Sequence, residues 1–394
     1  IRDRFYLAPG STASQVVLGL SVVAALLVPT FLRSSLAVSK SDEGVAPLFL
    51  GVGVRALLLG GSAYWALDHA VAAGTLSSTG AALAGVAKTG FARAVLLAGT
   101  LATTFVWPLS PLCIRVQREQ VRTAAGEPTR TQIKVIGFAN ALGSSYLLFF
   151  AAAFSLLVLV SPPPAQLVLT LHLVVLVCLL EVWDSERDVA HLTSALASTA
   201  SLEAFLQGDD LGDGAGGLPP APPHTGPTFV QLSTLALLAH VSFFATGHQA
   251  ALSSIQWSTA FIGFPSLTYP FSPLLVTLNT LSSFVLTALA LPLFVLWNVP
   301  PPLKDQGALF APRHLLRAGA GCLAYFAALT LASAACAAHL RRHLFVWKVF
   351  APRFMLAGVA LVATDVVLVG CAMGWGATGV LAKVKMSLGT RVAE

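Results

Sequence analysis

Charge is what this sequence has least of. Only 10% of its 394 residues are Asp, Glu, Lys or Arg, against about 25% in an ordinary soluble domain. With 56% hydrophobic residues and a mean hydropathy of +0.79, a soluble fold of this size could not cover its surface. The same scarcity excludes a disordered chain and a nucleic-acid binder, because no basic run interleaved with aromatics tracks a phosphate backbone. Cysteine is scarce too. Cys113, Cys178, Cys322, Cys336 and Cys371 lie in or beside apolar runs. No pair has zinc-ligand spacing, and the chain is not a disulfide scaffold. They read as small buried apolar residues. Methionine is confined to Met355, Met373 and Met386, and residue 1 is Ile. The expectation is a piece of a longer chain. Ile1–Gly10 carries Arg2, Asp3 and Arg4, too polar for a signal peptide. Targeting is therefore expected from upstream or from the first apolar span.

Catalytic signatures are missing as well. There is no Gly-x-Ser-x-Gly, no phosphate-binding Gly-x-x-x-x-Gly-Lys, and no paired HxE and CxxC elements. No internal repeat is evident, which weakens an inverted-repeat transporter.

Apolar length is what is present. A spanning helix needs roughly 20 apolar residues. Nine candidates are Ala13–Leu32, Pro47–Leu67, Phe91–Leu109, Gly137–Val160, Gln166–Trp183, Phe229–Thr246, Pro273–Trp297, Leu315–Ala338 and Met355–Trp375. Val189–Leu206 is helical but moderately apolar, and Ala250–Phe264 is short enough to be interfacial or re-entrant. The expected fold is an all-α polytopic membrane protein with about nine transmembrane helices, in a range of about eight to eleven. Ser161-Pro162-Pro163-Pro164 enforces a turn between spans, and Pro300-Pro301-Pro302 ends another, since proline cannot continue a helix. The run from Gln207 to Pro227 is rich in Gly, Pro and Asp and reads as a flexible linker. The organisation is thus N-terminal helices over 1–206, a linker over 207–228 and C-terminal helices over 229–394.

Basic residues orient the chain. With nine spans and the N-terminus outside, the cytoplasmic segments hold Arg33, Lys40, Arg115, Arg118, Arg122, Arg130, Lys134, Arg187, Lys304, Arg313, Arg317, Lys383, Lys385 and Arg391, fourteen in all. The outer segments hold seven: Arg2, Arg4, Lys88, Arg341, Arg342, Lys348 and Arg353. Four of those seven fall in His339–Arg353, on the disfavoured side. Either the span count is off by one or those charges are held there for a reason.

Ionisable groups at membrane depth are costly and are functional hypotheses by default. Asp365 lies in the last span and His172 in the middle of the fifth. Each reads first as a structurally paired group and second as a possible intramembrane polar site. Arg55 and Arg93 lie near span ends and can snorkel. Glu181, Asp184, Glu186 and Asp188, with His191 nearby, form a solvated helix end, because a calcium loop would need a central Gly and a twelfth-position Glu. His339 and His343 share a helical face, but the intervening arginines repel a cation. No metal site is expected in this chain. Gly370 and Gly374 form a GxxxG that permits close helix packing.

Two segments are more specific. FFATGHQ (Phe243–Gln249) ends a span on His248 and Gln249, and SIQWSTAFIGF (Ser254–Phe264) follows with Trp257. Trp suits headgroup depth, and His and Gln can bond phosphate or sugar hydroxyls. The alternative is a helix end whose polar groups only cap the backbone. RRHLFVWKVFAPR (Arg341–Arg353) interleaves Arg341, Arg342, His343 and Lys348 with aromatics. That is an interfacial stretch suited to anionic headgroups, or simple anchoring by snorkelling.

Together, FFATGHQ, SIQWSTAFIGF and RRHLFVWKVFAP resemble the C-terminal membrane region of the GPI ethanolamine phosphate transferase 3 (PIG-O type) family. The motif resemblance covers roughly Phe243 to Arg353; over the first 240 residues it extends only to hydropathy and length. The resemblance implies GPI-anchor biosynthesis at the endoplasmic reticulum membrane. There, phosphoethanolamine passes from phosphatidylethanolamine to the third mannose of the GPI precursor. It further implies a lumenal, alkaline-phosphatase-like catalytic domain with two zinc ions and a threonine nucleophile, lying before residue 1 and absent from this chain. A lumenal N-terminus, a cytosolic C-terminus and a small hydrophobic partner of the PIG-F type follow from the same likeness. On this reading no catalytic residue is in the chain. The lipid-binding candidates are His248, Gln249, Trp257, Arg341, Arg342, His343 and Lys348. A transporter or flippase-like protein and a non-catalytic structural subunit are the alternatives.

Overall fold

The helix Ala141–Val160 sits at the centre of the molecule. Its residues are apolar almost all round, ALGSSYLLFFAAAFSLLVLV, the pattern of a fully surrounded helix. In its most apolar window, 89% is buried. The computed structural model describes residues 10–36, 45–109, 115–121, 130–136, 141–196, 227–249, 254–297, 310–343 and 345–366. The linker residues 207–226, Cys113, Cys371, the GxxxG at Gly370 and Gly374, and the side chains of His191 and Asp365 lie outside the described residues.

In chain order the helices are α1 (Thr12–Ser34), α2 (Arg55–Ala72), α3 (Ser78–Leu109), α4 (Ala141–Val160), α5 (Pro163–Leu196), α6 (Phe229–Ala245), α7 (Phe271–Thr280), α8 (Ser282–Leu296), α9 (Phe310–His339) and α10 (Val346–Val366). One helical turn, Val45–Leu48, and a π-helical segment, Phe49–Val54, run directly into α2. The described residues of each of the nine expected apolar segments fall largely on helix; residues 137–140 and 367–375 of two of them lie outside the described residues. Among the described residues, six helices are long and apolar enough to cross a membrane, or seven if the bent pair α7–α8 counts as one span. The difference from the expected nine lies in three elements: α10 does not qualify over its described residues, and the other two have a visible physical reason. Helix α6, at 17 residues, is short. The predicted span Pro273–Trp297 is broken, with α7 meeting α8 at 83°.

The chain is helical as expected, with one short addition: Arg115–Val121 (β1) and Arg130–Ile136 (β2) pair antiparallel, Arg115 opposite Ile136 and Arg118 opposite Ile133. The alternation of apolar and polar residues around Val116, Ile133 and Val135 is a period-two strand signal hidden inside a basic loop. The expected start of the third span at Phe91 is late by more than three turns of helix: α3 begins at Ser78. The prolines after Ser161 both stop and start helix. Pro163 is the first residue of α5, where its fixed φ and missing N–H cost nothing.

Packing follows from the apolar faces. α4 contacts α2, α3 and α8, and α8 in turn contacts α5, α6, α9 and α10. Every residue of α8 except the half-buried Val285 is buried. Gly143 brings α4 against the end of α8: a Cβ there would lie 2.5 Å from Trp297 Cα. Tyr146 Oη donates to Leu289 O at 2.8 Å, and Trp297 Nε1 donates to Asp184 Oδ2 at 3.2 Å. By contrast only 11% of the most apolar window of α9 is buried. Cys322 is buried, but Cys178 and Cys336 are exposed on helix faces. That corrects the expectation for those two; a small apolar thiol is as compatible with a lipid-facing surface as with a core.

Candidate lipid site

The TGHQ element begins as a helix stop. Thr228 and Gln231 start α6 with a reciprocal capping box. At its other end Thr246 is the C-cap, and Gly247 takes φ 85°, the left-handed conformation that glycine adopts without steric cost. The chain reverses there and returns His248 under the helix it has just left. The imidazole stacks on Phe243, ring centroids 5.8 Å apart, and is 1% exposed. Burial pushes its pKa below the ordinary histidine range, opposed in part by the neighbouring Asn279 side chain.

The hydrogen bonds assign the ring's roles. Thr246 Oγ1 donates to Phe243 O at 2.8 Å. It therefore accepts from His248 Nδ1, 3.0 Å away. A neutral imidazole protonated at Nδ1 leaves Nε2 as an acceptor, and Nε2 has no partner. Asn279, on α7, is equally buried. Its Nδ2 donates to Val160 O at 3.1 Å and to Gln256 Oε1 at 3.3 Å, while its Oδ1 is unpartnered. Leaving a buried polar atom unsatisfied costs about 1–3 kcal/mol.

The segment after TGHQ is tied down residue by residue. Ser254 Oγ accepts from Gln249 N at 3.1 Å and donates to Gln249 O at 2.8 Å. A 3-10 turn spans Trp257–Phe261, and Ser272 Oγ donates to Ala260 O at 2.9 Å. Gly263 has φ 81°. Its carbonyl accepts from Arg93 Nε at 2.8 Å. Arg93 thus does more than snorkel: it anchors this segment to α3.

An open cavity of about 870 Å³ lies against these elements. Gln249 and Trp257 line it from the first motif, Trp347, Lys348 and Ala351 from the second, and Tyr269, Val276 and Thr280 from the stretch between. Two segments almost a hundred residues apart in sequence therefore form one wall. Among the described residues Lys348 is the single cation of a mostly apolar and aromatic lining, to which Gln249, Ser272, Thr277 and Thr280 add neutral polar groups. Trp257, Tyr269 and Trp347 are exposed, at 64%, 84% and 68%, as aromatic side chains at headgroup depth are.

The remaining candidates separate from the cavity. Arg341, Arg342 and His343 are exposed in the turn between α9 and α10 and do not line it. His172 is buried in α5, its Nε2 3.1 Å from Thr287 Oγ1 on α8, which is an interhelical tie. Glu181, Glu186 and Asp188 are exposed along α5. Among the described residues no three of His, Cys, Asp and Glu gather to hold a metal, so the donor set needed for two zinc ions is not formed by them. Asn279, Gln256 and Arg93 were missed from sequence. Asn279 carried a readable signal, as an amide inside the apolar run LLVTLNTL.

A profile described as the GPI ethanolamine phosphate transferase membrane region matches residues 224–381, a stretch that contains both motifs and the cavity. Over those residues the chain is similar to the membrane region of the GPI ethanolamine phosphate transferases. The curated relatives agree. GPI ethanolamine phosphate transferase 3 of Eremothecium gossypii is 29% identical over 343 residues, covering 86% of this chain and 29% of that protein. The Saccharomyces cerevisiae protein of the same name is 27% identical over 369 residues, covering 91% and 31%. The human GPI ethanolamine phosphate transferase 3, catalytic subunit, is 30% identical over 398 aligned positions, covering 83% and 34%. The likeness to these transferases extends beyond the motifs into the first 200 residues. The chain spans about a third of the length of the curated relatives it matches. No solved structure matches.

Proposed function

We propose that this chain is the membrane module of an ethanolamine phosphate transferase of GPI-anchor biosynthesis in the endoplasmic reticulum membrane. The observation that carries this reading is the shared cavity: the TGHQ–SIQW element and the VWKVFAP element line it together. The module holds a lipid substrate there, with acyl chains against Val276, Leu356 and Val359, and the lipid phosphate at Lys348. Phosphoryl transfer depends heavily on positioning, so a lipid-holding module affects rate without supplying a catalytic group.

In this proposal the whole enzyme moves phosphoethanolamine from phosphatidylethanolamine to the third mannose of the GPI precursor. Nine crossings place the N-terminus in the lumen and the C-terminus in the cytosol: the six long helices, α6, the bent pair and α10. The helices cover 1–206 and 229–394, joined by the 207–228 linker. A lumenal zinc-dependent domain supplies the chemistry, and a small hydrophobic subunit of the PIG-F type stabilises the assembly. Gln249, Trp257 and Lys348 contact lipid, His248 supports the wall, and Arg341, Arg342 and His343 sit at the membrane surface. Asp365 remains a candidate polar site in the last span.

The test is complementation of cells lacking the third-mannose transferase with the full-length protein carrying this region. Lys348→Glu combined with Trp257→Ala is expected to express normally and to leave GPI precursor without phosphoethanolamine on its third mannose. Full restoration of surface GPI-anchored protein by that variant would refute the cavity's role. Flux of lipid through liposomes, independent of transfer, would favour a flippase instead.

A further inference from the structure

Arg55 is a cation at membrane depth without a counter-ion. It lies inside the candidate span Phe49–Ala72, and Thr30 lies just before the end of Thr12–Ser34; both are about 6–9 Å within their helices. Among the described residues its one hydrogen bond runs from Nη2 to Thr30 Oγ1, 3.0 Å away. Its Nε is buried and has no partner. A guanidinium carries five N–H donors in a fixed fork, so most of this one is unused. Thr30 adds another donor. Its oxygen accepts from Arg55, and its own hydrogen is not given to the backbone, as those of Ser21 and Ser34 on the same helix are. Arg55 also follows directly on the π-helical segment Phe49–Val54, a rare wide turn that gathers at functional sites.

This place is at the far end of the bundle from the cavity. Asn279, on the helix that lines the cavity through Val276 and Thr280, bonds Val160 O, beside the start of α5 at Pro163. Ser35, just beyond Thr30, bonds Glu181 toward the other end of α5. The helix between Pro163 and Glu181 is about 27 Å long, close to the thickness of a bilayer core. The strand pair carrying Arg115, Arg118, Arg130 and Lys134 enters α4 at this same far end, since α4 finishes at Val160. The carboxylates near the end of α5 are engaged elsewhere, Glu181 with Ser35 and Asp184 with Trp297. All the unused groups at Arg55 and Thr30 are therefore donors. They call for an anion with several acceptor oxygens, the geometry of a phosphate. Leu27, Leu48 and Val52, one or two turns before Thr30 and Arg55, are exposed and offer apolar contact to acyl chains, so the phosphate arrives on a lipid.

We propose that Arg55 and Thr30 form a phosphate site for a net-anionic phospholipid, in the leaflet opposite the cavity. The site does not depend on the cavity's role. The guanidinium grips the phosphate, Thr30 donates a further hydrogen bond, and the acyl chains lie along Leu27 and Val52. A zwitterionic headgroup brings a positive group that nothing here receives, so net charge decides occupancy. The bound lipid neutralises the cation and ties α1 to α2; it is a structural lipid and is not consumed.

The experiment uses the full-length protein purified in mild detergent. The probes are phosphatidylglycerol, phosphatidate, phosphatidylcholine and diacylglycerol with identical acyl chains, and inorganic phosphate as the free anion. Bound lipid is counted by native mass spectrometry, and stability is read as the thermal midpoint. The wild type is expected to hold the two anionic lipids over phosphatidylcholine by about tenfold, the scale of one hydrogen bond to a charged group, and to melt higher in their presence. Arg55→Met should bring that ratio to one. Thr30→Val, isosteric and at an exposed position, should lower it a few-fold at an unchanged lipid-free midpoint, which keeps the test open if Arg55→Met folds poorly. Lys348→Ala, at the other end of the bundle, should leave the ratio as it is; its loss there would place the anionic lipid in the cavity and overturn the proposal. Equal retention of phosphatidylglycerol and phosphatidylcholine by the wild type would also overturn it and leave Arg55 snorkelling to water. Inorganic phosphate that raises the midpoint as far as phosphatidylglycerol does would refute the lipid and leave a free-anion site.

Discussion

The centre of the bundle and the wall of the cavity are built on opposite plans. Around α4 the contacts are mostly apolar and the helices regular; Tyr146 is tied to Leu289 O, while the small hydroxyls of Ser144 and Ser145 are buried without a partner. The wall is made from interrupted helices, a 3-10 turn, two glycines at positive φ and a hydrogen-bonded web. A dry core resists change because nothing in it can move independently. An irregular wall costs stability at two unpartnered acceptors, yet it presents polar groups to a lipid-sized space. Stability and recognition are thus assigned to different parts of one chain, and substitutions should separate them.

The largest effect is expected at the core. Gly143→Ala puts a Cβ 2.5 Å from Trp297 Cα and 3.1 Å from its backbone nitrogen, so relief requires shifting α4 against α8. Overpacking of this kind costs about 1–3 kcal/mol, read as a lower thermal midpoint and lower yield. Gly85→Ala, on α3 with open space around its Cβ, is the control and should be neutral or gain up to about 1 kcal/mol from helix propensity. A Gly143→Ala protein as stable as the wild type would show that the core is looser than the wall, reversing the comparison.

A smaller effect is expected where the wall is tied to the bundle. Arg93→Met keeps the apolar stem of the side chain and removes its hydrogen bond to Gly263 O. The loss should be about 1 kcal/mol in global stability, with a disproportionate fall in lipid retention as the segment 254–264 loosens. Equal retention by Arg93→Met and the wild type would mean that the wall holds its shape without α3.

Acidification should act on the wall alone. Burial lowers the pKa of His248 from its ordinary 6.5, and no charged side chain contributes to that shift. The neutral ring is therefore the folded form. Its stabilising contribution is complete above about pH 6.5, where the unfolded chain is also neutral, and declines as pH falls toward the depressed folded value. The wild type should therefore lose thermal stability relative to His248→Phe as pH falls below about 6.5, and an equal loss in both proteins would show that another group carries the acid sensitivity.

How much of this was legible in sequence differs between the two regions for the same physical reason. Apolar length marks a buried or spanning helix directly, so the described residues of the nine expected segments fall largely on helix. The wall is encoded by positions whose meaning depends on where the chain turns. Gly247 and Gly263 give no sign of their φ in a sequence already rich in glycine. The break between α7 and α8 lies inside an unbroken apolar run, so hydropathy reads it as one span. His248 stood out as a polar residue at a span end, but whether it faced lipid or protein required knowing that Gly247 folds it back under Phe243. Lys348 and Trp347 were read as part of a basic surface stretch; their separation from Arg341 and Arg342 comes from the turn before α10.

That separation supplies the smallest effect. Arg341, Arg342 and His343 are exposed in a turn and line no part of the cavity, so replacing all three with Ala should change thermal stability within about 0.5 kcal/mol. Their contribution is electrostatic attraction to an anionic membrane surface, about 1 kcal/mol per cation at the surface and screened by salt. The triple variant should bind anionic vesicles less tightly at low salt and indistinguishably at high salt, with the ratio of lipids retained in the cavity unchanged. Lys348→Ala should do the reverse, lowering retention in the cavity while leaving vesicle affinity nearly intact. If the triple variant instead alters which lipid is retained, the cationic turn belongs to the recognition wall, and the boundary between anchoring and reading must be moved outward to include it.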